Sequence, residues 1–205
     1  DEAPMLFIGE KVGTKKGQAL DIAVDPLEGT NFVANNLPNA FSVIAVSEKN
    51  KLFFAPDTYM EKIAIGANLP KNLLDLDNSI EKNISLLADA KQTTPDKLTV
   101  CILERPRHEK IITSLKKMNV KLKLISDGDI SGVIYTVDKN SPVDMYIGIG
   151  GGPEGVLAAA ALSCYGGQIQ TRLVLNDEES IRAKKMGIND LKKKYNIEDM
   201  VKGDV

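Results

Sequence analysis

Asp21-Ile22-Ala23-Val24-Asp25-Pro26-Leu27-Glu28-Gly29-Thr30 is the stretch from which the rest of this chain is read. Ile22 and Val24 alternate with Ala23 and predict a buried strand over residues 20–25 that ends on the carboxylate of Asp25. Pro26 has no amide proton to give a sheet ladder, so the strand is expected to leave the sheet there. Glu28 then brings a second carboxylate, Gly29 a backbone free to approach a ligand, and Thr30 a hydroxyl. Two carboxylates on a tight turn at a strand end suit an oxygen-ligated cation such as Mg2+ or Mn2+. Taken as a bare Asp-Pro-x-Glu, the same residues make a proline-initiated turn with two solvated acids.

Outward from this run the pattern has two parts. Residues 41–47 and 52–55 are apolar and β-branched around Glu48-Lys49-Asn50-Lys51, which predicts a hairpin, with residues 60–66 as the next strand of an antiparallel meander. Residues 31–38 read as a polar, asparagine-rich connection, and residues 68–77 as a loop and candidate boundary. Beyond it strands alternate with helices. Helices are expected at 79–90, 106–118, 130–137, 153–165 and 177–185, and strands at 98–103, 120–125, 143–148 and 168–175. The fold class is therefore α/β, an antiparallel meander followed by a mixed sheet, with units at residues 1–77 and 78–205. Asp127-Gly128-Asp129 and the loop 148–154 both follow strands, where open α/β sheets bind ligands. Pro153 and Glu154 open a helix whose free amides favour anions.

Composition narrows the function classes. A net charge of −2 over 205 residues gives no global field for nucleic acid or a membrane surface. Lys192-Lys193-Lys194 is expected on a solvated helix face. No apolar run is long enough to span a bilayer, and no secretory signal pattern is present. Cys101 and Cys164 lie in apolar surroundings without zinc-like spacing and read as buried free thiols of a reducing cytosol. His108 is the single histidine; sites built on two imidazoles are excluded, and it reads as a polar residue at a helix start.

The Asp-Pro-Leu-Glu-Gly-Thr string resembles the signature of the lithium-sensitive, metal-dependent sugar and inositol phosphatases. Further segments resemble, in order, the bacterial class II fructose-1,6-bisphosphatases: Asp1-Glu2-Ala3-Pro4-Met5 with Ile8-Gly9-Glu10-Lys11-Val12-Gly13, Ala55-Pro56-Asp57 with Tyr59-Met60-Glu61-Lys62, Arg105-Pro106-Arg107-His108, Asp127-Gly128-Asp129, and Gly148-Ile149-Gly150-Gly151 with Pro153-Glu154-Gly155-Val156. The resemblance implies a layered α/β sandwich of the sugar-phosphatase type that hydrolyses the 1-phosphate of fructose 1,6-bisphosphate, with sedoheptulose 1,7-bisphosphate as a related substrate. It implies Mn2+ or Mg2+ held by Asp25, Glu28 and Glu154, with catalysis by Thr30, Asp25 and Glu28. It implies substrate contacts from Glu28, Gly29, Thr30, Tyr59, Arg105, Pro106, Arg107, Asp127, Gly128, Asp129 and Gly151. A cytoplasmic homo-oligomer, dimer or tetramer, belongs to the same expectation.

Each assignment has a plainer alternative. Thr30 also suits a helix cap, Tyr59 a half-buried strand aromatic, and Asp127 to Asp129 a simple turn. Arg105 stands where the family commonly has lysine, and Gly152 where it usually has alanine. In the family, a Gly-Glu-Gly-Glu segment and an earlier aspartate precede the Asp1 run and supply further metal ligands, so the chain is expected to be a fragment. The remaining readings are an inositol- or nucleotide-phosphate phosphatase, or a catalytically silent sugar-phosphate-binding fragment.

Overall fold

A computed structural model describes residues 9–205. The run at residues 1–5 and Ile8 lie outside the described residues. The first two strands, β1 (Leu20–Glu28) and β2 (Phe41–Glu48), pair antiparallel as a separate ribbon. β1 does not end at Asp25. Its register with β2 shifts between Asp25 and Glu28, where Pro26 and Leu27 bulge, and pairing resumes at Glu28 opposite Phe41. A proline at a bulge removes no ladder bond, so the strand carries both carboxylates instead of stopping after the first.

The expected meander stops at two strands. Leu52 makes only an isolated bridge to Val201, and β3 (Tyr59–Ile65) lies in a six-stranded sheet between β6 (Met145–Gly151) and β7 (Gln168–Val174). The order of that sheet is β5-β4-β6-β3-β7-β8, with β4 (Thr99–Leu103), β5 (Lys121–Ile125) and β8 (Lys194–Tyr195). β5, β4 and β6 run parallel, while β3 is antiparallel to both its neighbours. β3 thus comes from the N-terminal side of the expected boundary at residue 77 and joins the sheet formed beyond it.

Short α1 (Thr30–Ala34) occupies what read as a polar connection. α2 (Ile80–Ala90) and α3 (Glu109–Lys117) cover one sheet face; Ile84, Leu87 and Leu115 pack there against Ile63, Ile65 and Val100. Ser79 caps α2 by accepting from the Lys82 amide. α4 (Asp129–Ile134), α5 (Gly152–Tyr165) and α7 (Ile197–Met200) lie on the other face, and α6 (Asp177–Lys185) starts with a capping box from Asn176.

α5 is the middle of the sandwich. It packs on β3, β6 and β7 from one side and on the ribbon from the other, meeting Ala23, Phe41, Val43 and Ala45. A helix covered on both sides has to be apolar all round, and Val156 to Ala160 are all buried. Its C-terminal turn emerges, which leaves Cys164 exposed; Cys101, within β4, is buried. Lys192-Lys193-Lys194 forms no helix face: Lys194 begins β8 and pairs with Asp75 and Asp77, and Lys193 pairs with Asp199. Among the described residues no helix is long and apolar enough to cross a membrane.

Candidate functional site

The parallel strands β4, β5 and β6 all end at one edge of the large sheet, and the antiparallel β3 begins there, with Tyr59 opposite Gly151. Loops leaving that edge carry Arg105 to His108, Asp127 to Asp129 and Gly151 to Glu154. The bulged end of β1 closes over them. The Asn31 amide donates to Asp127 Oδ2 at 3.0 Å, and the amides of Ile130 and Ser131, at the start of α4, both donate to the Glu28 carboxylate. Sequence-distant acids therefore meet in one crevice, as the strand-end positions of their loops predict.

Two glycine turns make this approach possible. Gly29 (φ 80°) and Gly128 (φ 87°) both take the left-handed conformation just before α1 and α4. Phe32 packs against both: added Cβ atoms would lie 2.5 Å from its ring at Gly29 and 3.3 Å at Gly128. Gly29 holds the cap position of α1, so Thr30 is its first residue and not its cap. Thr30 is exposed, and among the described residues no hydrogen bond engages its hydroxyl.

The electrostatics are those of crowded acids. Burial pushes the Glu28 carboxyl up to about 7; its two amide donors oppose this, and Asp129 and Asp25 add repulsion. Asp25 is raised by burial against the pull of the Leu27 amide, with further repulsion from Asp127. Glu154 is raised by burial too, and there Lys62 offsets part of the repulsion from Asp129 and Asp25. A divalent cation would relieve all three, and hard oxygen donors are what Mg2+ or Mn2+ prefers. Among the described residues, however, no three acidic, histidine or cysteine side chains form a ready metal cluster.

One of the loops leaving the same strand ends carries two arginines. Arg107 donates Nε and a terminal nitrogen to the Ile149 carbonyl at 3.0 and 2.7 Å and lies over the Tyr59 ring, 4.9 Å from its centroid. No carboxylate pairs with it among the described residues, so its remaining donors face outward. Arg105 lies 4.0 Å from Asp127. Pro106 opens the short turn between them. Gly151 leaves room for the Glu154 carboxylate, which a side chain at that position would strike.

Three residues outside the predicted set complete the crevice. Lys62 is fully buried and pairs with Asp129 Oδ2, while the buried Tyr146 hydroxyl donates to Asp129 Oδ1. Both Asp129 oxygens are thus turned inward and engaged, whereas Asp127 is the more exposed of the two. The strand period carried the signal for Lys62, which shares a face with inward Met60 and Ala64. The third is His108, which stands at the start of α3 as expected and is fully buried there.

The profile of the family described as bacterial fructose-1,6-bisphosphatase, glpX-encoded, matches residues 1–205. The chain is 39% identical over 217 aligned positions to a fructose-1,6-bisphosphatase class 2 of Haemophilus influenzae, covering all of this chain and 65% of that protein. It is 40% identical over 218 positions to fructose-1,6-bisphosphatase 1 class 2 of Escherichia coli K12, covering all of this chain and 64% of that protein. The chain therefore spans just under two thirds of the length of these relatives.

Proposed function

Because the chain belongs to the glpX-encoded family of bacterial fructose-1,6-bisphosphatases, we propose that the full protein hydrolyses the 1-phosphate of fructose 1,6-bisphosphate, yielding fructose 6-phosphate for gluconeogenesis. The observation that carries this reading is that mutually repelling acids, buried Glu28 with half-buried Asp25 and Glu154, gather where the strand-end loops also carry Arg107, an arginine with no acidic partner among the described residues. Phosphate monoesters hydrolyse extremely slowly unaided, and such a site addresses both needs, charge neutralisation and a positioned nucleophile.

In this proposal Asp25, Glu28 and Glu154 hold Mn2+ or Mg2+, which when bound supplies Lewis-acid polarisation of the phosphoryl group. Ligands from outside the described residues complete the set. Thr30, with its free hydroxyl at the start of α1, orients the attacking water and helps to deprotonate it, its own hydroxyl proton passing to solvent as it takes one from that water. Arg107 and Arg105 grip a phosphate, Tyr59 lines the crevice beneath Arg107, and the Gly151 backbone approaches the sugar phosphate. Asp127, with Gly128 at the turn, accepts from sugar hydroxyls. Asp129 fixes that turn from below, since Lys62 and Tyr146 already occupy its oxygens.

Two free thiols, one exposed, accord with a cytoplasmic setting. Self-association into a dimer or tetramer, as the resemblance implies, belongs to the same reading, with residues 1–77 as the remainder of a metal-binding unit and residues 78–205, which lend it Glu154, as the sugar-phosphate-binding unit. The test is phosphate release from fructose 1,6-bisphosphate by the full-length protein with Mn2+ or Mg2+, beside sedoheptulose 1,7-bisphosphate, inositol monophosphate and a nucleotide monophosphate. The expected result is chelator-sensitive turnover strongest on the sugar bisphosphates; preference for the inositol or nucleotide ester would replace this reading by the sister activity.

A further inference from the structure

β6 outruns its parallel partner. Its pairing with β4 stops at Cys101 opposite Tyr146, and β4 itself ends at Leu103, so the β6 edge beyond has no strand beside it. Ile149 sits on this bare edge, two residues before Gly151. An unpaired buried peptide group is costly, and here two consecutive side chains take the place of the missing strand. The Ile149 amide donates to His108 Nε2 at 2.8 Å, and the Ile149 carbonyl accepts from Arg107 at 2.7 and 3.0 Å.

His108 is anchored from its other side as well. Its Nδ1 lies 2.7 Å from the Leu103 carbonyl, which can only accept, so Nδ1 carries the proton and Nε2 is the acceptor. The ring lies against the β6 backbone: a Cβ at Gly148 would come 3.2 Å from its Cε1. Both ring nitrogens are used by the neutral form, and protonation would set an N–H against the Ile149 N–H. Burial, with Arg107 and Arg105 nearby, lowers the His108 pKa; the Leu103 carbonyl and Asp129 act the other way without reversing the shift.

We infer that His108 is a positioning residue for anion binding: by holding the Ile149 amide it fixes the β6 edge on which Arg107 is braced, so that the guanidinium stays over Tyr59 with its outer donors set for the phosphate of a sugar phosphate. This rests on the sugar-phosphatase reading above and adds to it a residue that touches no substrate. The working contact is the one to Ile149, and the Leu103 contact serves to fix the tautomer.

Two substitutions in the full-length protein separate these contacts. His108→Gln can place an acceptor where Nε2 stood, while His108→Asn keeps a donor near Nδ1 and loses the acceptor. The expected result is a KM for fructose 1,6-bisphosphate within about twofold of wild type for His108→Gln, and raised about tenfold for His108→Asn, with kcat nearly unchanged in both. Arg107→Ala should raise KM at least as much, and adding His108→Asn to it should change little more. Equal KM values in the two His108 variants, a loss confined to kcat, or full additivity with Arg107→Ala would overturn the inference. If the wild type turns over no sugar bisphosphate, calorimetric titration with inorganic phosphate reads the same ranking: weakened binding in His108→Asn and Arg107→Ala but not in His108→Gln supports it, and indifference overturns it. Should His108→Asn fail to fold, the wild-type imidazole nitrogen spectrum at neutral pH decides. Nδ1 protonated and Nε2 bare is expected, and the opposite tautomer contradicts the clamp.

Discussion

Replacing Lys62 by methionine keeps the length of the side chain and removes its charge, which leaves the Asp129 carboxylate buried with the Tyr146 hydroxyl alone. Lys62 is 0% exposed and Asp129 9%. Removing one partner of a buried pair costs roughly 3–5 kcal/mol, because the remaining charge loses its compensation without regaining water. For a domain of this size about 1 kcal/mol corresponds to roughly 2–4 °C, so the midpoint should fall by roughly 6–20 °C. Asp129→Asn alone strands the ammonium and should cost a similar amount. The double variant has neither charge, and the carboxamide it carries in place of the Asp129 carboxylate can still accept from Tyr146. Its loss should therefore fall short of the sum of the singles by roughly 2–4 kcal/mol. Urea unfolding of the four proteins, with chelator present throughout, gives the coupling directly. Additive losses, or a Lys62→Met variant within about 0.5 kcal/mol of wild type, would refute the claim that this pair organises the floor of the crevice.

Other consequences are more local. Cys101 is buried with its thiol pushed up to about 12, while Cys164 is exposed, so a thiol reagent at pH 8 should modify Cys164 quickly and Cys101 only on unfolding; two fast thiols traced to these positions would contradict the packing of β4. Gly29→Ala forces a side chain into a left-handed turn and onto the Phe32 ring, and should cost about 1–2 kcal/mol or more in urea unfolding. His108 has a lowered folded-state pKa, so the folded form binds fewer protons than the unfolded one; its contribution to stability is complete above about pH 6.5 and is lost as pH falls through the folded value. His108→Gln should flatten that part of the stability profile, and an unchanged acid slope would show that the imidazole is not held neutral. Asp25→Asn should abolish metal-dependent turnover with little change in melting temperature, whereas Thr30→Ala should lower kcat far more than it raises KM.

The strand–helix succession from α2 to α6 is legible because each element carries its own period. The helix expected from residue 79 is α2, with Ile84 and Leu87 on its inner face, and the one expected over 177–185 is α6. Strand partners are not legible in the same way. Nothing local in residues 59–65 says that this strand will pair with Gly151 and Val174 far along the chain instead of with β2. Pro26 reads as a stop because the rule for proline in a ladder does not say whether the partner strand has a bulge to receive it. Cys164 reads as buried for a related reason: α5 is apolar all round, so its sequence does not reveal which turn leaves the core. The acids of the site stand out as a motif, but their division of labour does not. Which of Asp127 and Asp129 faces the crevice depends on Lys62 and Tyr146, each in a different strand.

The two phosphate esters of the substrate differ in position, and the proposed reaction breaks only one of them. Phosphorus NMR of fructose 1,6-bisphosphate incubated with the full-length protein and Mn2+, quenched by chelator at intervals, follows both ester phosphates at once. The expected spectra show loss of the 1-phosphate resonance, matching growth of inorganic phosphate, and a 6-phosphate resonance that persists as fructose 6-phosphate. A spectrum unchanged with metal present, or loss of the 6-phosphate first, would contradict it.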